Sequence, residues 1–196
     1  MRKVKLLEHI SIDGYMAGPN GEINWIYMDD EIGEYVHTAI VSTADTAIYG
    51  RITYQMMESF WPTAAEMPNA PRHIIAHANW VSKAQKIVFS RSLDKVEWYN
   101  TRLVKEDIPG EISRLKQQPG KDIVLLGSGS IAHLLMRHNL IDEYYLTINP
   151  IILGEGFPLF TTLPAQLNLR LTGTKTFANG AVCMQYAGQK AVVFLS

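Results

Sequence analysis

Residues 4–10 (VKLLEHI) are apolar enough to predict a buried strand, and the Gly-, Pro- and Asn-rich stretch that follows predicts a long loop reaching Trp25. From Asp29 the period changes. Ile32, Tyr35, Val36, Ala39 and Ile40 recur at helical spacing behind an acidic first turn of Asp29, Asp30 and Glu31, so a helix is predicted to residue 42. A strand at 45–50, a helix over 51–60, a Pro-containing loop over 61–71 and a strand at 72–77 follow. Further strands are expected at 86–90 and 96–100, then a helix over 106–118 ended by Pro119-Gly120, a very apolar strand at 122–127 and a helix over 128–138. From residue 142 the chain turns β-rich. Residues 167–177 and 181–188 are separated by Ala178-Asn179-Gly180, a hairpin signal. Alternating βα units with a β-only ending predict an α/β fold: a mixed, mostly parallel central sheet, helices on both its faces, and a C-terminal antiparallel hairpin.

Composition narrows the function classes. With 196 residues, 47% hydrophobic and 19% charged, the chain is expected to form one domain with a sizeable core. A net charge of −1 gives no broad footprint for nucleic acid or an anionic membrane. Cys183 is the only cysteine, so an internal disulfide or a cysteine-based metal cluster is excluded. No apolar run of signal-peptide or membrane-span length is present, so a soluble, cytoplasmic protein is expected.

Three places share one pattern, in which an apolar strand ends at small or hydroxyl residues near a helix or turn: Gly50-Arg51-Ile52-Thr53, Ser90-Arg91-Ser92 and Gly127-Ser128-Gly129-Ser130-Ile131. Strand ends in α/β sheets line the ligand crevice, and helix N-termini offer free N–H groups to phosphates. Each has an ordinary alternative, since Gly50 and Gly127 also suit tight turns and Thr53 a cap. Residues 127–132 also fit the dinucleotide fingerprint G-x-G-x-x-G/A between a strand and a helix, although the chain lacks the βα units a full dinucleotide domain would need afterwards. Together the three point to one polyphosphate ligand. Ser90-Arg91-Ser92 sets a cation and two hydroxyls where an NAD site would place a carboxylate, which favours NADPH.

Residues 11–21 (SIDGYMAGPNG) through Trp25 resemble the N-terminal signature of the dihydrofolate reductase-like proteins related to the C-terminal reductase domain of bacterial riboflavin-biosynthesis enzymes. Residues 50–54 with 60–62, 89–93, 126–130, and 149–156 with 158–160 follow in the family's order, so the likeness spans roughly residues 4 to 188. The resemblance implies a three-layer dihydrofolate reductase-like fold. It assigns Gly50 to Thr53 and Gly127 to Ile131 to the phosphates of NADPH, Ser90 to Ser92 to its adenosine end, and Ala17 and Gly18 to the vicinity of the nicotinamide. It matches Asp30 to the carboxylate that pairs with the substrate ring, with Asp29 as its rival.

The reading that follows is hydride transfer from NADPH to a small heterocycle of pterin, pyrimidine or ribosylaminopyrimidine type, with the 13–25 loop, including Asp13 and Trp25, closing over the site. Trp25 and Trp61 are candidates either for stacking on a flat ring or for ordinary packing, and Glu155, between two glycines, either for the crevice or for a turn. The six histidines are read as structural or solvated, Cys183 as a packed strand residue, and no metal is expected. A non-catalytic nucleotide-binding protein and a flavoprotein stay open as rivals. The apolar residues 191–195 fit a homodimer contact or a tail packed on its own domain.

Overall fold

A computed structural model describes residues 1–189, so the C-terminal apolar tail lies outside the described residues. Apolar residues alternate between two clusters along each central strand. In β1 (Val4–Ser11), Val4, Leu6 and Ile10 join one cluster and Leu7 the other. In β3 (Ala44–Gly50) Ile48 opposes Ala47 and Tyr49, and in β6 (Asp122–Leu126) Ile123 and Leu125 oppose Val124 and Leu126. β4 (Gln85–Phe89) repeats the pattern with Ile87 and Phe89 against Val88. Strands wet on neither face read as continuous apolar runs, which is why these were conspicuous in the sequence.

Helices α4 (Ile108–Gln117) and α5 (Gly129–Arg137) cover the first face with Ile112, Leu115, Ile131, Ala132 and Leu135. The second face takes Ile32 of α1 (Asp30–Tyr35), Val36 and Ile40 of the π-helical turn that continues it, and Tyr54 of α2 (Arg51–Ala64). With β5 (Thr101–Val104), β7 (Glu143–Asn149), β9 (Leu169–Thr176) and β10 (Val182–Gly188), the sheet has, among the described residues, eight strands in the order β5-β4-β3-β6-β1-β7-β10-β9. The six strands from β5 to β7 run parallel; β10 is antiparallel to both β7 and β9. Gly180, at φ +90°, turns the expected hairpin. A separate two-stranded piece pairs β2 (Tyr15–Ala17) from the long loop with β8 (Phe157–Pro158).

Three expectations fail. Residues 72–77 are not a strand but the start of helix α3 (Arg72–Lys83). Its buried His77, Ala78 and Val81 fall at helical spacing, which a six-residue window ending at His77 cannot show. Residues 96–100 alternate like a strand but join no ladder, because the Tyr54 hydroxyl accepts the N–H groups of Glu97 (3.2 Å) and Trp98 (3.3 Å). Pairing begins only at Thr101, after Asn100 at φ +55°. The third is the end of α2, which runs through Pro62 to Ala64 instead of stopping at residue 60. Proline there removes one backbone bond, while Trp61 stacking on His77 at 4.1 Å and the buried Ala64 hold the turn in place. Among the described residues no helix is long and apolar enough to cross a membrane.

Candidate functional site

The three Gly/Ser-rich junctions lie at the C-terminal ends of β4, β3 and β6, which are consecutive in the sheet. Gly127 and Ser128 both have left-handed backbones, φ +57° and +68°, an unusual state for serine. That conformation turns the Ser128 hydroxyl away from its own helix. It accepts the Gly50 N–H at 2.7 Å and donates to Thr53 Oγ1 at 2.8 Å, so one side chain ties the start of α5 to the start of α2. Neither helix has a side-chain cap. Two first turns with uncapped N–H groups and positive dipole ends therefore stand side by side. A Cβ on Gly50 would come within 3.2 Å of Ser128 Oγ, so a side chain there would crowd the tether. The third junction is held by Ser90 Oγ, which accepts from the N–H groups of Ser92 and Leu93 and leaves Arg91 exposed.

The long loop reaches this region through Met16, whose methyl group lies so close to Gly129 that any side chain there would displace it. Gly18 and Glu22 close the loop tip, with Gly18 N–H donating to the Glu22 carbonyl at 2.9 Å. Ala17 touches the backbone of Gly156, where a Cβ would fall 2.1 Å from the Ala17 oxygen. Asp13 spends its carboxylate on structure: its oxygens accept from Leu153 N (3.1 Å) and Gly154 N (2.8 Å). These bonds and the Ser11 hydroxyl, the largest cause, hold the Asp13 carboxyl below its ordinary value. Trp25, half-buried, donates its indole N–H to the Glu22 carbonyl, and Glu155 is exposed on the bend between Gly154 and Gly156.

The two rival aspartates separate cleanly. Asp29 is the N-cap of α1, accepting Ile32 N at 3.0 Å, and its other oxygen takes the Asn179 amide at 2.8 Å. Asp30 has its side chain 84% exposed, with His73 Nδ1 at 3.5 Å. His73 and His77, four residues apart on one face of α3, and His37 of the π-helical turn form a cluster that a strand reading of residues 72–77 concealed. No three His, Cys, Asp or Glu side chains among the described residues converge to hold a metal ion.

Sequence reasoning also passed over Glu8. It lies on the same face of β1 as Val4, Leu6 and Ile10, buried, and its Oε2 has no hydrogen-bond partner among the described residues. A Cβ on Gly127 would sit 4.0 Å from that oxygen. Burial pushes the Glu8 carboxyl up to about 8, against a smaller lowering by the His9 N–H. His9 and His77 are pushed down by burial, to about 4 and about 3. The signal was available: a carboxylate at a core-facing position of an apolar strand. By contrast, one hollow lies at the opposite, N-terminal edge of the strands among Met1, Arg2, Pro119 and Asp122. There Arg2 is already engaged by Asp45 and Thr46, so it offers no free cation.

These shifts predict a stability profile. The two histidines bind protons in the unfolded chain from about pH 6.5 downward but in the folded chain only near their depressed values, so stability falls on acidification below about 6.5. Glu8 does the reverse. The folded chain keeps its proton up to about 8 while the unfolded chain releases it near about 4.3, so stability declines as pH rises across that window. The midpoint of thermal unfolding is expected to peak near about pH 6.5, and Glu8→Gln should flatten the limb from there to pH 8. An unchanged limb in that variant would contradict the assignment.

Residues 2–183 match the sequence model of the RibD C-terminal domain. The chain belongs to that family. A family relative, the uncharacterized protein YyaP of Bacillus subtilis, is 33% identical over 187 residues, covering 94% of each chain. A putative riboflavin biosynthesis protein from Shewanella has the same fold with a TM-score of 0.74 at 22% identity, over 97% of this chain and all of its own. The family fold recurs in a deaminase/5-amino-6-(5-phosphoribosylamino)uracil reductase of Thermotoga maritima, with a TM-score of 0.65 at 14% identity. There it covers 96% of this chain and 57% of that longer one. The RibD C-terminal fold is thus a reductase-like fold.

Proposed function

We propose that the chain is an NADPH-dependent reductase acting on a small pterin-, pyrimidine- or ribosylaminopyrimidine-like heterocycle. The observation that carries this reading is the pair of uncapped helix starts, α2 and α5, fastened together by the Ser128 hydroxyl at neighbouring strand ends. Such a pair suits a pyrophosphate, because two sets of N–H donors and two dipole ends face one ligand. When bound, NADPH supplies the hydride. Residues Gly50 to Thr53 and Gly127 to Ile131 hold the phosphates, and Ser90 to Ser92 receive the adenosine end. Ala17 and Gly18 flank the nicotinamide, while Trp25 and Glu155 face the substrate. Asp13 fixes the loop that carries them. Since Asp29 is committed to capping, Asp30 is the aspartate free to hold the substrate's polar edge and pass a proton to the nitrogen beside the reduced carbon.

NADPH binding by fluorescence titration, followed by substrate-dependent loss of nicotinamide absorbance across pterins and pyrimidines, tests the proposal. Tight binding without turnover on any of them would favour a non-catalytic binder. A second variant checks cofactor choice. Arg91→Ala should weaken NADPH about 10–100-fold, the worth of one charge-assisted bond to the 2′-phosphate, and leave NADH nearly unchanged. Equal losses for both cofactors would remove Arg91 from that role.

A further inference from the structure

Glu8 is a carboxyl placed where nothing in the fold needs one. It occupies a core-facing position in the central strand, its Oε2 is buried, and among the described residues that oxygen has no donor. Oε1 takes only the His9 N–H, at 3.3 Å. The elements around it bring Leu146 across from β7, Thr53 from α2, and Gly127 at the end of β6. The charged and titratable groups nearest in the chain of contacts lie elsewhere. Arg51 is exposed on the first turn of α2, His133 of α5 bonds the Pro158 carbonyl, and His9 projects to the other face of the sheet. An ion so placed would pay a large desolvation cost with no counter-charge, so the carboxyl keeps its proton.

A neutral acid is a hydrogen-bond donor, and this one lies beneath the turn that the proposed reading gives to a phosphate. We propose that Glu8 is a further recognition residue of the nucleotide site, a protonated carboxyl that donates through Oε2 to a phosphate oxygen seated over the Gly127 turn. The inference rests on the nucleotide-binding reading and extends it. Amide N–H groups at two helix starts surround the anion from above, and Glu8 supplies a donor from below that carries no positive charge. Ionised, the same group would repel the phosphate, so binding requires the proton. Met16, lying against Gly129, is an unbranched thioether of the adaptable kind that an incoming ligand can swing aside.

The test is calorimetric titration of the full chain with NADPH from pH 6.5 to 9.5, repeated in buffers of different ionisation enthalpy, on the wild type and on Glu8→Gln. The wild type should lose affinity toward about tenfold per pH unit above the acid's folded value, with proton uptake on binding there. Glu8→Gln, an uncharged donor of the same length, should bind at every pH within about threefold of the wild type at pH 7, with a flat profile. A slope that persists in Glu8→Gln overturns the role of Glu8 while leaving the reductase reading intact. Failure of the wild type to bind NADPH even at pH 6.5 overturns both. Should Glu8→Gln fail to fold, infrared difference spectroscopy of the wild type decides: NADPH should shift a protonated-carboxyl stretch to lower frequency at pH 7, and no carboxyl band in the difference spectrum would refute the proposal.

Discussion

Replacing Gly127 by alanine is expected to weaken NADPH binding at least about 100-fold while leaving a folded protein. The two halves of that expectation have separate causes. In the folded chain the new methyl group would meet Thr53 at 3.6 and 3.7 Å and Glu8 at 4.0 Å, all ordinary contacts, so no atom has to move. The backbone at φ +57° would strain by about 1–2 kcal/mol, lowering the unfolding midpoint by several degrees. Under the proposed function the ligand would suffer more, because the methyl group would fill space beside Thr53 at the turn assigned there to a phosphate. Cofactor titration alongside thermal denaturation separates the two effects. Binding within about threefold of the wild type would show that the turn does not hold the phosphate.

The largest loss of stability is expected from Leu125→Ala. Leu125 is fully buried in β6, between β1 and β3, and packs in the same cluster as Leu6, Ile48 and Leu135. Neighbours on parallel strands cannot collapse inward without breaking ladders, so the cavity stays open and the cost should approach about 3–4 kcal/mol. Urea denaturation would read this as a lower midpoint at unchanged slope. A loss below about 1 kcal/mol would mean that the sheet relaxes far more than its pairing suggests.

The parts of the fold that were legible in the sequence are those where one local rule sufficed. The parallel core strands announce themselves because both faces are apolar, and Asp29 caps its helix as its side-chain chemistry dictates. What stayed hidden depended on distant partners. Val96 and Trp98 alternate as a strand would, yet their segment finds its donors' acceptor in a tyrosine hydroxyl 43 and 44 positions away. Ile74 and Ile75, β-branched, favour a strand over residues 72–77, but burial of Ala78 and Val81 against the body of the protein settles a helix.

The candidate site divides in the same way. Glycines and hydroxyls at strand ends marked the three junctions, but only the tertiary structure shows one serine joining two of them. Asp13 could be seen as a conspicuous loop carboxylate; that its oxygens meet the N–H groups of Leu153 and Gly154, 140 and 141 residues on, could not. Glu8 sits among the polar residues of a segment read only as a buried strand, and its meaning depends on which face of β1 carries it.

The earliest strand of this sequence lies in the interior of the finished sheet. β1 has β6 on one side and β7 on the other, so its lateral partners arrive only with residues 122–149. During synthesis an apolar ribbon therefore waits unpaired while most of the chain is translated, a long-range closure that slows folding and exposes sticky backbone. The acid within that ribbon, Glu8, is hydrated and ionised in the unfolded chain at neutral pH and takes up a proton only as its neighbours bury it, so completion of the sheet centre is coupled to proton uptake.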